Sequence, residues 1–112
     1  MGRFDFQVMK QSIAYVVTKD KDEAKEIGME LVSSKLAACV NILDNMNSIY
    51  WWEGAIKEES ETVMIVKTKE SLMNEVIAKI KEMHSYSIPC VLFLPITKGN
   101  EQYLEWIDKE TK

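Results

Sequence analysis

The chain has 112 residues, 46% hydrophobic and 29% charged, with a net charge of −4. That length supports one core and rarely two, and the composition is that of ordinary folded domains, which excludes a disordered chain. The mild acidity and a single arginine, Arg3, argue against a nucleic-acid partner, because arginine is the side chain that grips phosphate and guanine bidentately.

No apolar run approaches the roughly 20 residues that span a bilayer, so no membrane partner is expected. The first residues lack the basic, apolar and small-residue succession of an export signal. Residues 1–11 read as a leader or tail ahead of a single domain over 12–112, and the expected location is cytoplasmic. Two cysteines, Cys39 and Cys90, without CxxC spacing, read as reduced thiols rather than a disulfide scaffold.

In chain order, Ser12–Thr18 is a short β-branched block and predicts a buried strand. Asp20 followed by Glu23 marks a helix start, and Ala24, Ile27, Gly28 and Leu31 recur at helical spacing over 21–35. Gly28 there costs about 1 kcal/mol relative to Ala, which close packing on a sheet would offset. The run 36–52 predicts one unusually long strand ending in Tyr50, Trp51 and Trp52, with a turn at Glu53-Gly54.

The return arm passes Ile56 and reaches Thr68, its charged start over 57–61 expected to face solvent. Thr68 or Ser71 is expected to cap a second helix striped by Met73, Val76, Ile77, Ile80 and Met83. Ser87-Ile88-Pro89 ends that pattern, Val91–Leu94 predicts a fourth strand, and Gly99-Asn100 opens a short terminal helix.

Strand, helix, strand, strand, helix, strand is the order of the ferredoxin-like split βαβ fold, an α+β class. It centres the first and third strands and leaves Cys39 and Cys90 on opposite edges. The long hairpin overshoots a domain of this size, so its aromatic end needs cover from further copies of the chain.

Five blocks carry a family resemblance: Leu36-Ala37-Ala38-Cys39-Val40-Asn41; Ser48-x-Tyr50-x-Trp52-x-Gly54; Glu61 with Val66-Lys67-Thr68; His84-x-Tyr86-x-x-Pro89; and Tyr103-Leu104-x-Trp106-Ile107. In order and spacing they resemble the CutA divalent-cation tolerance family, from about Ser12 to Ile107. The resemblance implies a cytosolic, non-enzymatic homotrimer of ferredoxin-like subunits. Its long hairpins pair across subunits as in the PII signalling proteins, and copper or other divalent metals are bound. It also implies that Tyr50, Trp52, Glu61, Lys67, His84, Tyr86, Tyr103 and Trp106 line clefts between subunits.

The chain departs from the family's usual His-Pro-Tyr-Glu-x-Pro-Glu at His84-Ser85-Tyr86-Ser87-Ile88-Pro89-Cys90, losing two carboxylates. Val17 and Met83 stand where some members place a further Cys and His, so a copper site built on those groups does not carry over intact.

His84 has two readings. It is a half-buried imidazole bonded to carbonyls at a helix end, or it ligates copper or zinc with Cys90, a soft pair suited to those ions. Cys39 reads as a small hydrophobe, and Cys90 as that or a thiolate ligand. Lys67 and Glu61, an even interval apart, share a sheet face. Lys67 is either an ion-pair partner or a contact for a small anionic ligand. Tyr50, Trp51, Trp52, Tyr103 and Trp106 read as an oligomer core or a ligand cage. No phosphate loop, HExxH or paired acid set appears, and no organic cofactor is expected. The expected function is weak divalent-metal binding by a homotrimer. The alternatives are a PII-like regulatory trimer binding a small anion, or a structural trimer that presents its loops to a protein.

Overall fold

Hydrophobic alternation and turn chemistry produce seven elements in a computed structural model that describes residues 10–112. They are β1 (Gln11–Thr18), α1 (Lys21–Ser33), β2 (Cys39–Trp52), β3 (Ala55–Lys69), α2 (Met73–Met83), β4 (Val91–Pro95) and α3 (Glu101–Lys109). The leader or tail expected over 1–11 lies outside the described residues except for Lys10 and Gln11, and Gln11 opens β1. The mixed α+β fold has one antiparallel sheet in the order β2-β3-β1-β4. Cys39 and Cys90 accordingly lie toward opposite edges, and both are free thiols.

The core lies between one sheet face and two helices. Ala14, Val16, Met64 and Val66 meet Ala24, Ile27 and Leu31 of α1 and Val76 and Ile80 of α2. Asp20 caps α1 by accepting the Glu23 amide at 2.9 Å, as its sequence position predicts. Gly28 lets α1 press onto β2, since a Cβ there would lie 3.1 Å from Val40 Cγ1.

Three local expectations are corrected. The helix expected over 21–35 stops at Ser33, because Lys35 turns left-handed (φ 65°) and the Leu36 and Ala37 amides both bond back to the Leu31 carbonyl. That turn consumes the start of the predicted strand, so β2 begins at Cys39 rather than Leu36. Neither Thr68 nor Ser71 caps α2. The Thr68 hydroxyl donates instead to the Leu36 carbonyl at 2.6 Å, and a single 3-10 turn over Glu70–Leu72 leads into the helix.

The second and third strands outrun the sheet. Thr62–Lys69 of β3 pairs with β1, whereas Ala55–Glu61 pairs with β2 alone. The free ribbon is roughly 23 Å long at the usual rise per residue. It stretches the molecule to 50 × 29 × 23 Å and its radius of gyration to 15.2 Å, against about 13 Å for a compact chain of this length.

Where the ribbon leaves the sheet, a β-bulge interrupts the pairing. Leu43 faces Val63 and Met46 faces Glu61, so Asp44 and Asn45 together oppose Thr62. Asn45 takes the left-handed conformation (φ 60°) that asparagine tolerates. The Asp44 carboxylate accepts the Thr62 hydroxyl at 2.7 Å and the Asn45 amide at 2.8 Å. Those two bonds, the hydroxyl's first, hold the Asp44 carboxyl below its ordinary range.

Replacing Gly28 with Leu drives a branched side chain into Val40. Urea unfolding at fixed protein concentration is expected to show a loss of about 1–3 kcal/mol. Unchanged stability would contradict the close helix–sheet approach.

Candidate functional site

One extra residue in a strand reverses which face its later side chains occupy. Before the bulge the odd-numbered residues of β2 share a face with Lys67, Ile65 and Val63; after it, the even-numbered residues do, through Met46↔Glu61, Ser48↔Glu59 and Tyr50↔Lys57. The bulge therefore carries Ser48, Tyr50 and Trp52 to the sheet face opposite the helices, beside Lys57, Glu59 and Glu61. With Tyr15 and Val17 of β1 and Tyr86, Ser87, Ile88 and Cys90 before β4, they line a cleft of about 600 Å³.

Two tyrosine–carboxylate pairs brace the cleft. The Tyr86 hydroxyl donates to Glu61 Oε2 at 2.6 Å, and the Tyr50 hydroxyl donates to Glu59 Oε1 at 2.7 Å. Burial and then the bond to Glu61 push the Tyr86 phenol well above its ordinary range. The bond to Glu59 leads in pushing Tyr50 up to about 12. Burial, followed by the Glu61 charge, also raises the Cys90 thiol. At neutral pH these phenols act as hydrogen-bond donors and the thiol is protonated.

His84 stands behind the wall rather than in it. It is 9% exposed at the C-terminal end of α2. Its Nε2 donates to the Val17 carbonyl at 2.7 Å and its Nδ1 accepts the Tyr86 amide at 3.0 Å. Both ring nitrogens are thus engaged by backbone, and the ring packs against Tyr86 with centroids 4.8 Å apart. Buried Glu23 completes the clasp, accepting the Lys19 amide at 3.0 Å and the Ser85 amide at 2.8 Å. Desolvation opposes its charge, but those hydrogen bonds and the nearby imidazole prevail and lower its pKa.

The sequence-predicted site residues fall in three places within one chain. Tyr50, Trp52, Glu61, Tyr86 and Cys90 share the cleft. His84 orients Tyr86 from behind. Lys67 shares Glu61's sheet face but stands six residues along β3, roughly 20 Å away at the usual rise. Its ammonium donates to the Tyr103 hydroxyl at 3.2 Å and lies 5.3 Å from that ring's centre, and the Trp106 ring packs against Tyr103 at a tilt of 33° with centroids 5.4 Å apart.

The expectation that the run 57–61 faces solvent holds for residues 57–60, which are exposed, and fails at Glu61, which is 7% exposed. Sequence reasoning did not foresee that Lys57 and Glu59 also line the cleft. The period-two spacing of Lys57, Glu59 and Glu61 was the available signal. Glu23 was read as a helix-start acid, and its reach to Ser85 left no trace in the pattern.

A family model described as CutA1 divalent ion tolerance protein matches residues 12–110. The chain belongs to that family. Among relatives, Protein CutA 1, chloroplastic, of Oryza sativa is 41% identical over 100 residues, covering 89% of this chain and 56% of the relative. The divalent-cation tolerance protein CutA of Archaeoglobus fulgidus is 43% identical over 95 residues, 85% of this chain and 92% of that one. The chain thus spans little more than half of its plant relatives. The crystal structure of CutA1 from Oryza sativa superposes with a TM-score of 0.90 at 39% identity, covering 93% of this chain and 95% of that one.

In this CutA1-family chain the Glu23 clasp has a pH signature. Its folded pKa lies below the ordinary 4.5, so its stabilisation is complete at neutral pH and is lost as pH falls through the lowered value. Comparing urea midpoints at about pH 7 and about pH 3, the wild type is expected to lose more stability than Glu23→Gln. Equal losses would remove the clasp.

Proposed function

We propose that this chain works as a non-enzymatic, homotrimeric divalent-cation tolerance protein that holds copper or zinc weakly in clefts between subunits. The observation that carries the assembly is apolar surface left bare along both sheet edges. Ile49, Trp51 and Ile56 on the ribbon are 70%, 71% and 63% exposed, and Leu92 and Leu94 on the edge strand β4 are 60% and 54% exposed. A ribbon of two strands is marginal alone in water, and an unpaired edge carrying such side chains calls for a partner. The same ribbon forms one wall of the cleft, so assembly and site are coupled.

Among the described residues no three His, Cys, Asp or Glu side chains converge as a metal site. One chain therefore supplies an incomplete donor set, which fits weak binding finished by a neighbour. Cys90 and Glu61 are the donors assigned to the ion, with a thiol suited to copper(I) or zinc. His84 would join them by giving up a backbone bond, so its leading role here is to hold Tyr86. A metal bound there would act as cargo, and no bond-making step is assigned to it. The anion-binding alternative has less support, because Glu59 and Glu61 face the cleft and Lys67 is engaged by Tyr103. The cytoplasm is the proposed location; among the described residues no helix is long and apolar enough to cross a membrane. Relatives are described as chloroplastic and periplasmic.

Sedimentation velocity at micromolar concentration is expected to give one species at three times the 12.9 kDa chain mass. Competition titrations with copper and zinc are expected to show Cys90→Ser weakening uptake by at least about tenfold, since even partners that merely orient a ligand are worth about 10–100-fold. A monomer would overturn the assembly, and unchanged uptake would overturn the donor assignment.

A further inference from the structure

The ribbon is a lever held at its root. Beyond the rung Thr18↔Thr62, β3 has left β1, and residues 55–61 pair with β2 alone. At that same level the bulge places the left-handed Asn45, where a strand bends. Among the described residues, two side-chain hydrogen bonds cross from the body to the ribbon past the bulge. Tyr15 donates to the Met46 thioether at 3.4 Å, a weak acceptor, and Tyr86 donates to Glu61 Oε2 at 2.6 Å. The second is the stronger, because its acceptor is a carboxylate. Glu61 is also the residue next to the last rung, so the bond acts where the ribbon would pivot.

Tyr86 stands on a fixed base. The link that carries it, between α2 and β4, is pinned twice to one residue of the central strand β1. The Val17 carbonyl accepts His84 Nε2 at 2.7 Å, and the Val17 amide donates to the Cys90 carbonyl at 3.2 Å. Between those pins His84 Nδ1 holds the Tyr86 amide and Glu23 of α1 holds the Ser85 amide. The central strand and a helix thus stand behind one phenol, and that phenol reaches the ribbon.

An arm that must meet another copy at a set angle associates faster when it is held at that angle beforehand, because only the competent fraction of chains can dock. The ribbon presents Ile49, Trp51 and Ile56 bare for such a contact. We propose that Tyr86 is a latch that holds the ribbon at the angle assembly requires, and that its bond to Glu61 sets the rate at which copies of this chain associate. The inference rests on the reading of this chain as a self-assembling protein, and names the residue pair that prepares it. Tyr86 is a positioning residue here, acting through Glu61, and the role needs no ligand in the cleft.

The test refolds the full chain from urea by dilution to a series of protein concentrations. Folding of each copy gives a phase independent of concentration, and association gives one that depends on it, followed by light scattering. Tyr86→Phe keeps the ring and loses only the hydroxyl. It is expected to slow association about tenfold, the scale of a hydrogen bond to a carboxylate, and to leave the first phase unchanged. Glu61→Ala is expected to match it, and to carry the test alone should Tyr86→Phe fail to fold. Glu61→Gln, which keeps a neutral acceptor, is expected to fall between Glu61→Ala and the wild type. The double variant Tyr86→Phe with Glu61→Ala is expected to be no slower than either single one, because both remove the same bond. Association at the wild-type rate in Tyr86→Phe, or effects that add in the double variant, overturns the proposal. Sedimentation of the same samples separates the two readings. A wild type that stays monomeric refutes the assembly reading, while a trimer that forms equally fast with and without the Tyr86 hydroxyl refutes this inference alone.

Discussion

The arrangement of this molecule turns on the two-residue bulge at Asp44 and Asn45. A strand's side chains alternate strictly, so one inserted residue moves everything beyond it to the other face. Without the bulge, Ser48, Tyr50 and Trp52 would point to the helix side of the ribbon, away from Tyr86 and Cys90. The carboxylate of Asp44, bonded to the Thr62 hydroxyl and the Asn45 amide, makes the left-handed turn at Asn45 a defined feature rather than a slip. It also sends Ile49 and Trp51 to the opposite face of the ribbon, beyond the reach of the helices. One local device thus builds a cleft wall and leaves apolar side chains needing cover.

The facing wall is fixed by different means. The link from α2 to β4 has no ladder of its own, and its shape is imposed by side chains reaching backbone groups: His84 to Val17 and Tyr86, and Glu23 to Lys19 and Ser85. Tyr86 then crosses to Glu61 on β3 and ties this link to the ribbon. A histidine that satisfies two backbone groups with its two nitrogens is a structural part whose contribution reaches the cleft through Tyr86.

Much of the fold was legible because it rests on periodicity and capping. The β-branched blocks, the Asp20 cap and the Gly28 approach all follow from patterns within a few residues. The strand order also agrees with the expectation drawn from the order of elements. The errors lie where tertiary bonds overrode local preference. Thr68 is chemically a good cap, yet its hydroxyl goes to Leu36. The left-handed Lys35 shortened β2 at its start, and lysine announces no such turn.

The site was legible as a set of residue types and illegible as an arrangement. Family resemblance supplied Tyr50, Trp52, Glu61 and Tyr86, which do meet, and also Lys67, Tyr103 and Trp106, which form a separate cluster in one chain. Parity counted along the sequence cannot place Tyr50 relative to Glu59, because the count changes at Asn45. Asn-x-Asn between apolar alternations (Asn45 and Asn47 here) was the available hint, asparagine being tolerant of the left-handed region.

The most direct check on this account is the cross-strand register of the ribbon in solution, read from backbone proton–proton contacts by NMR on the intact protein. The account predicts contacts between Leu43 and Val63, then between Met46 and Glu61 and between Tyr50 and Lys57, with Asp44 and Asn45 both opposite Thr62. Contacts of Met46 with Ser60 and of Tyr50 with Ile56 would mean an uninterrupted ladder, and would take Tyr50 out of the cleft.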